Sequence, residues 1–221
     1  MTGSSRNDRI AGAMLGLAAG DALGAGYEFT TPGEDAEIGM VGGGGFGWEA
    51  GEWTDDTQMT ICIAEVTATG TVDTEAVGRR FLDWYAASPK DVGVQTSAVL
   101  SRAEADPARL SDVAARHFAA NPRGAAGNGS LMRTAPIALA HLGDDEAIAA
   151  SAMAVSALTH GDPLAGEACV LWCIAIDRAI RQERLDGIDD GVQLLPADRR
   201  AFWADRLGEA RTRPPRSFNP N

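Results

Sequence analysis

The sequence Trp53-Thr54-Asp55-Asp56-Thr57 stands between a glycine-rich run at residues 42–51 and an apolar stretch at residues 59–66. Thr54 is a suitable helix N-cap, and Asp55 and Asp56 then occupy the first turn, where the helix dipole favours anions. Acidic first turns are common, so one interpretation is a well-capped helix start. The other is a site for a hard cation such as Mg²⁺, Mn²⁺ or Ca²⁺, because one short segment supplies several oxygen ligands.

Apolar residues recur at helical spacing along most of the chain, and no run of alternating strand residues or repeat of fixed period is present. The sequence therefore predicts an all-α fold, a compact bundle of several helices. The predicted helices cover residues 8–20, 54–68, 73–87, 94–105, 107–119, 134–142, 144–158, 163–180 and 196–207.

Three of these helices are expected to form the centre of the bundle. Residues 54–68 and 163–180 are apolar on most sides, which is typical of buried helices. In the first helix, Gly12, Gly16 and Gly20 are spaced four residues apart. Glycine costs about 1 kcal/mol per helical position relative to alanine, so the stripe predicts that another helix approaches closely.

Composition excludes some classes of function. The 221 residues include 19 basic and 31 acidic side chains, a net charge of −12, which opposes binding to phosphate backbones and anionic membranes. We therefore expect no general nucleic-acid binding and no membrane partner. An anionic ligand would require a metal ion, helix N-termini or placed arginines.

Cysteine usage and hydropathy bear on location. The three cysteines are an odd number, lie in apolar helices and are expected to pack in the core, and no signal peptide is evident. These features predict a cytoplasmic protein. No apolar run approaches the roughly 18 residues of a transmembrane helix.

Segments rich in Asp, His, Asn or Gly connect the predicted helices, and in a bundle they can gather at one end and form a single cleft. Glu28 is either a surface acid or a catalytic one, and the long loop at residues 30–51 is either a flap or a surface excursion. Asn128-Gly129-Ser130 offers backbone N–H groups to a phosphate, or is simply a turn with a cap. Near Pro163, His160 is expected to contact substrate and Asp162 to cap the next helix.

Taken together, these segments resemble the ADP-ribosylglycohydrolase family, the group of the dinitrogenase-reductase-activating glycohydrolase and ADP-ribosylarginine hydrolases. The resemblance covers residues 8–221, which we expect to form a single all-α domain. It rests on five motifs in order: Gly20-Asp21-Ala22-Leu23-Gly24, Tyr27-Glu28, Trp53-Thr54-Asp55-Asp56-Thr57, Gly127-Asn128-Gly129-Ser130-Leu131-Met132-Arg133 and Thr159-His160-Gly161-Asp162-Pro163.

The resemblance implies a binuclear Mg²⁺ or Mn²⁺ site and hydrolysis of the bond between ADP-ribose and an acceptor, most simply the N-glycosidic bond of ADP-ribosylarginine. It implies Thr54, Asp55 and Asp56 as metal ligands, and Glu28 with the two aspartates as catalytic residues. The implied substrate-binding residues are Gly127, Asn128, Gly129, Ser130, Met132 and His160. The alternatives are hydrolysis of O-linked ADP-ribose, on serine or an acetyl group, and an ADP-ribose-binding module without turnover.

One departure from the family pattern bears on the metal. Family members carry a C-terminal Asp-x-Asp-Thr/Ser motif that completes the metal site, and this sequence has none; Asp189-Asp190 is followed by Gly191. We therefore expect this chain to lack the C-terminal part of the domain and the ligands of the second half-site. A separate polypeptide carrying that segment is then a candidate partner, besides the substrate.

Overall fold

The structure is a computed structural model that describes residues 5–30, 32–33, 35–125 and 127–218, without the side chain of Arg216. These residues form no β-strand, only an isolated bridge between Gly43 and Trp48, so the all-α prediction is confirmed. The described ranges hold ten α-helices: α1 Arg6–Gly24, α2 Asp55–Thr67, α3 Thr74–Ala86, α4 Val94–Leu100, α5 Leu110–Ala120, α6 Ala135–Ala140, α7 Asp145–Ala157, α8 Pro163–Gln182, α9 Ile188–Leu194 and α10 Ala197–Thr212.

The helices differ from the sequence prediction at three places. Helix α4 stops at Leu100 rather than near residue 105, where Glu104 and Ala105 adopt left-handed backbone conformations. Helix α10 continues to Thr212 rather than ending near residue 207. Helix α9 was not predicted, because its sequence is polar; it forms where Gly191 lets its backbone lie against Leu171 of α8.

The core lies around α2 and α8, as their apolar sequences predict. Met59 and Ile63 of α2 and Ile174 of α8 are fully buried, and all three cysteines are buried and free. Beside this core, Arg178 of α8 binds three carboxylates. We call this group the Arg178 cluster; it comprises Arg178, Asp145, Asp177 and Asp190.

Helix α1 is not central. Ala22 is its only buried residue, and a Cβ placed on Gly12, Gly16, Gly20 or Gly24 would meet nothing within 4 Å in the described part of the chain. The expected close helix contact is therefore wrong for these residues. The segment Arg6–Tyr27 is also long and apolar enough to cross a membrane by length and composition alone, which the sequence analysis did not expect. Core helices of soluble proteins and signal sequences near an N-terminus meet the same criteria of length and composition.

The glycine-rich segment before α2 folds back on the short 3₁₀ helix Ala25–Tyr27. Gly43 and Trp48 exchange backbone hydrogen bonds of 2.8 Å, and Trp48 is buried. A Cβ on Gly26 would lie 2.3 Å from the carbonyl oxygen of Val41, so only glycine permits this approach. The segment thereby brings Phe46 to the edge of the cleft described below.

Candidate active site

Helix α2 is capped by two residues. The Thr54 hydroxyl accepts the N–H of Asp56 at 3.4 Å, as its N-cap position predicts. The Asp21 carboxylate, which arrives from α1, accepts the N–H and hydroxyl of Thr54 at 2.9 and 2.8 Å and those of Thr57 at 3.0 and 2.6 Å. Because Asp21 and Thr54 satisfy the helix start, the carboxylates of Asp55 and Asp56 are not required for capping.

Four carboxylates gather near this helix start, and we call them the cleft acids: Glu28, Asp55, Asp56 and Asp91. Burial and the neighbouring charges of Asp91 and Asp56 raise the pKa of Asp55 to about 7. Burial and the charge of Asp21 raise the pKa of Asp56 to about 6. The pKa values of Glu28 and Asp91 are also raised, in each case mainly by burial.

The cleft acids have no counter-ion in the part of the chain that the structure describes, since none forms an ion pair there. Lys90, the one lysine of the sequence, lines the cleft but is paired with Glu52 at 2.7 Å and lies over the ring of Trp48. Carboxylates that are buried away from water and repel one another in this way are characteristic of functional sites.

The cleft has a volume of about 780 Å³ and brings most of the predicted site residues together. Its lining includes the cleft acids together with Gly127, Asn128, Gly129, Met132 and His160. A second, smaller cleft of about 390 Å³ lies on the other side of Glu28 and Asp56 and is also lined by Asp21 and Thr54.

Ser130 does not line the cleft. Its side chain is buried, and its hydroxyl accepts hydrogen bonds from Ser156 at 2.9 Å and from the thiol of Cys169 at 3.5 Å. Nor do Asn128-Gly129-Ser130 open a helix, because α6 starts at Ala135. The expected phosphate site on a helix N-terminus is therefore not formed, and ligand contacts from this segment would come from its turns.

His160 lines the cleft but is almost completely buried. Its Nδ1 lies 2.8 Å from the hydroxyl of Thr159, and burial together with the charge of Arg133 lowers its pKa to about 3. The imidazole is therefore neutral at physiological pH. The neighbouring Asp162 caps α8 by accepting the N–H of Leu164 at 2.9 Å, as predicted.

The cleft acids and Thr54 have the donor atoms that a hard divalent ion prefers, but too few of their groups converge to complete a metal site. Their donors are oxygens, which Mg²⁺ and Mn²⁺ prefer, and a cation would relieve their mutual repulsion. Within residues 5–218, masked positions excepted, no three carboxylate, imidazole or thiolate groups are close enough to hold a metal ion. The described residues thus provide part of a ligand set.

Sequence reasoning missed three functional candidates in this region. Asp91 joins the cleft acids from the loop between α3 and α4, and its position beside Pro89 and Gly93 is the sequence signal that could have found it. Asp21 belongs to the motif Gly20-Asp21-Ala22-Leu23-Gly24, but the sequence assigned it no role of its own. Gln95 lines the cleft from the first turn of α4 and carries no local signal at all.

Known proteins are similar to this chain over most of its length. A family model described as ADP-ribosylglycohydrolase matches residues 2–219. The chain is 37% identical over 176 residues to the ADP-ribosyl-[dinitrogen reductase] glycohydrolase of Rhodospirillum rubrum, covering 77% of this chain and 57% of that protein. It is 32% identical over 200 residues to the ADP-ribosylarginine hydrolase Tri1 of Pseudomonas putida (strain GB-1), covering 87% of this chain and 51% of the relative.

A solved structure described as an ADP-ribosylglycohydrolase-related protein complex aligns with a TM-score of 0.64 and 34% identity. The alignment covers 82% of this chain and 60% of that one. The chain thus spans between half and three-fifths of the length of these relatives.

Proposed function

This chain belongs to the ADP-ribosylglycohydrolase family, and from that premise we propose that it serves the metal-dependent hydrolysis of ADP-ribose from a modified acceptor. The observation that carries the proposal is the cleft of about 780 Å³, whose lining combines acids that form no ion pair with Gly127, Asn128, Gly129, Met132 and His160. A cleft of this size suits a nucleotide-sized ligand. We further propose that residues 8–221 belong to one catalytic domain.

The acceptor we favour is arginine. A guanidinium group is cationic and planar, so it is attracted both by carboxylates and by the faces of aromatic rings. The cleft mouth offers both, because Glu28 lies beside Phe29, which is 80% exposed, and Phe46. The two rings are 6.2 Å apart. A serine or acetyl acceptor has no charge that would use these groups.

The mechanism assigns roles to residues of the chain. Thr54, Asp55 and Asp56 would hold the divalent ion, which supplies Lewis-acid stabilisation of negative charge and an anchor for the ligand. Cleavage at ribose passes through an oxocarbenium-like transition state, whose positive charge the cleft acids stabilise. Glu28 would accept a proton from the attacking water, whose oxygen bonds to the ribose carbon as the bond from that carbon to the acceptor nitrogen breaks. The departing guanidine would then take up that proton, and Asp91 is the other carboxylate suited to the role of Glu28.

The alternative that an observation favours is an ADP-ribose-binding module without turnover. Over the described ranges, too few ligand groups converge to hold a metal ion. On this alternative the cleft would bind ADP-ribose but lack the ion needed for cleavage. Hydrolysis of O-linked ADP-ribose remains the other candidate within the enzyme class.

One experiment separates these functions. Release of free ADP-ribose is measured from arginine-, serine- and acetyl-linked substrates, with Mg²⁺, with Mn²⁺ and with a chelator. When the ligands that complete the metal site are present, we expect release from the arginine-linked substrate only, and we expect the chelator to abolish it. Binding of ADP-ribose without release from any substrate would support the binding module, and neither binding nor release would contradict the proposal.

Two further proposals concern the setting of the protein. We propose that additional polypeptide, supplied in the same or another chain, completes the metal site. We also propose a cytoplasmic location, supported by three free buried cysteines. Isothermal titration of manganese into the metal-free chain would count the ions that this chain binds by itself. Two ions would contradict the first of these proposals.

A further inference from the structure

A buried arginine that forms no ion pair among the described residues lies near the cleft, where the charge of Asp55 acts on it. The Arg133 side chain is fully buried, its guanidinium stacks 4.3 Å from the ring centre of Phe81, and Nη1 is 3.4 Å from the sulfur of Met59. Among the described residues no carboxylate forms an ion pair with it, and its Nε has no hydrogen-bond partner. Burying a charge in this way costs free energy, so the one strong hydrogen bond that the Arg133 guanidinium makes is expected to have a structural purpose.

That contact leads to His160. Nη2 of Arg133 donates a hydrogen bond to the Thr159 hydroxyl at 2.5 Å, and the same oxygen lies 2.8 Å from Nδ1 of His160. A guanidinium only donates, so Arg133 cannot receive the hydroxyl hydrogen. Within the described structure, His160 Nδ1 is the acceptor that remains. The hydroxyl therefore donates to Nδ1, and the proton of the neutral imidazole resides on Nε2.

Thr159 also fixes the orientation of Gln95. The side-chain Nε2 of Gln95 donates to the Thr159 carbonyl at 3.2 Å, which assigns the other side-chain atom as the oxygen. That oxygen, Oε1, is buried and lacks a partner among the residues described. A Cβ built on Gly127 would lie 3.9 Å from Gln95 Oε1 and 4.0 Å from His160 Nε2. One unpaired acceptor and one donor thus flank the same point of the cleft wall.

We propose that Arg133 and Thr159 are positioning residues that hold His160 Nε2–H and Gln95 Oε1 as a donor–acceptor pair, and that this pair selects a sugar hydroxyl. The inference rests on the proposed function for its ligand, ADP-ribose. A hydroxyl both donates and accepts, whereas an ionised phosphate oxygen only accepts and would face the lone pairs of Gln95 Oε1.

Two surrounding features support the pair. The Arg133 charge and burial oppose protonation of His160, so Nδ1 stays available as an acceptor. A Cβ on Gly129 would lie 3.0 and 3.2 Å from two ring atoms of His160, so the absence of a side chain there leaves the ring in place. Both features keep one donor and one acceptor facing the ligand.

The ligand preference is tested by calorimetry with the variant Gln95→Met, which keeps the side-chain length and removes the acceptor. With Mg²⁺ present, we expect about tenfold weaker binding of ADP-ribose, the usual effect of losing one buried hydrogen bond, and unchanged binding of pyrophosphate. Unchanged or tighter ADP-ribose binding by Gln95→Met overturns the inference, because removal of a repulsive oxygen would strengthen binding of a phosphate. Failure of the unsubstituted chain to bind ADP-ribose would instead contradict the proposed function.

The positioning role is tested without ligand, by ¹⁵N NMR of the His160 ring at neutral pH. We expect Nδ1 unprotonated and Nε2 protonated in the unsubstituted chain and in Thr159→Ser, which keeps the hydroxyl. In Thr159→Val and Arg133→Met, we expect a mixture of the two tautomers, with circular dichroism confirming the fold. A proton on Nδ1 in the unsubstituted chain overturns the inference even if the variants do not fold, and so does an unchanged tautomer in a folded Thr159→Val.

Discussion

The cleft acids and the Arg178 cluster are two groups of partly buried carboxylates in the same small protein, but their charges are handled in opposite ways. In the Arg178 cluster, one guanidinium binds Asp145 with two hydrogen bonds of 2.7 and 2.6 Å and also bonds Asp177 and Asp190. These bonds lower the pKa values of Asp145 and Asp190. The pKa values of all four cleft acids are raised.

The difference shows which carboxylates stabilise the folded state and which do not. Paired acids whose pKa is lowered stabilise the folded state when they are ionised, whereas unpaired acids whose pKa is raised destabilise it. A protein retains the second kind where a ligand or an ion uses them. The contrast can be tested by removing members of each group and comparing the effects on activity and on stability.

The largest expected effect is the loss of activity when the acids of α2 are removed. The double substitution Asp55→Ala, Asp56→Ala should reduce ADP-ribose release at least ~100-fold, because charge stabilisation at the reacting bond is lost. Helicity by circular dichroism should stay nearly intact, since Asp21 still caps the helix. The matched control is Glu75→Ala, Asp112→Ala, two exposed acids in the first turns of α3 and α5 that line neither the cleft nor the Arg178 cluster. Full activity in the first variant would refute the assigned role.

Disrupting the Arg178 cluster should instead lower stability. We expect Arg178→Met to reduce the free energy of unfolding by about 3–5 kcal/mol, because it leaves the fully buried Asp177 and two further carboxylates without their shared partner. Urea denaturation measures the change. Arg206→Met, which removes the exposed pair with Glu209, is the control and should change stability by less than about 1 kcal/mol. Equal effects of the two substitutions would remove the distinction.

Neutralising one cleft acid should stabilise the metal-free protein. The folded-state pKa of Asp55, about 7, lies above its ordinary value of 3.8, so its ionisation weakens folding as the pH rises through that range. At pH 8 with a chelator, Asp55→Asn should raise the free energy of unfolding by about 1–2 kcal/mol, and at pH 4 the gain should vanish. A loss of stability at pH 8 would show that Asp55 is paired.

His160 should produce the opposite pH dependence. Its folded-state pKa of about 3 lies below the ordinary 6.5, so the unfolded chain binds a proton more readily between these values. Stability from this residue is present above pH 6.5 and is lost as the pH falls, by at most about 1.4 kcal/mol per pH unit. His160→Gln should flatten the profile between pH 6.5 and 4.5, measured as the difference from the unsubstituted chain. An unchanged slope would show that the imidazole is solvated.

The sequence predicted the elements whose signals are local. Helices α2 and α8 have apolar residues on most sides and caps at Thr54 and Asp162, so their positions and burial followed from nearby residues. Helix α9 could not be found in this way, because it depends on the fit of Gly191 against α8. The centrality of α1 was wrong because a glycine stripe permits a close contact without supplying the partner.

The candidate site follows the same division. Asp55 and His160 were found because they belong to motifs, and the structure brings both into one cleft. Asp21 acts on residues more than 30 positions away, and the side chain of Gln95 is oriented by the carbonyl of Thr159, 64 positions away. Such contacts exist only after folding, so a linear reading could not assign these roles.

Through the four hydrogen bonds that Asp21 accepts, helix α1 supports the N-terminal end of α2, which carries Asp55 and Asp56. Since little of α1 is buried, its local detachment costs little, and each detachment frees the amides of Thr54 and Thr57. Local opening of α1 would therefore loosen the very turn that carries Asp55 and Asp56. A molecule that binds the exposed glycine stripe of attached α1 would, by the same linkage, reduce the local opening of this turn.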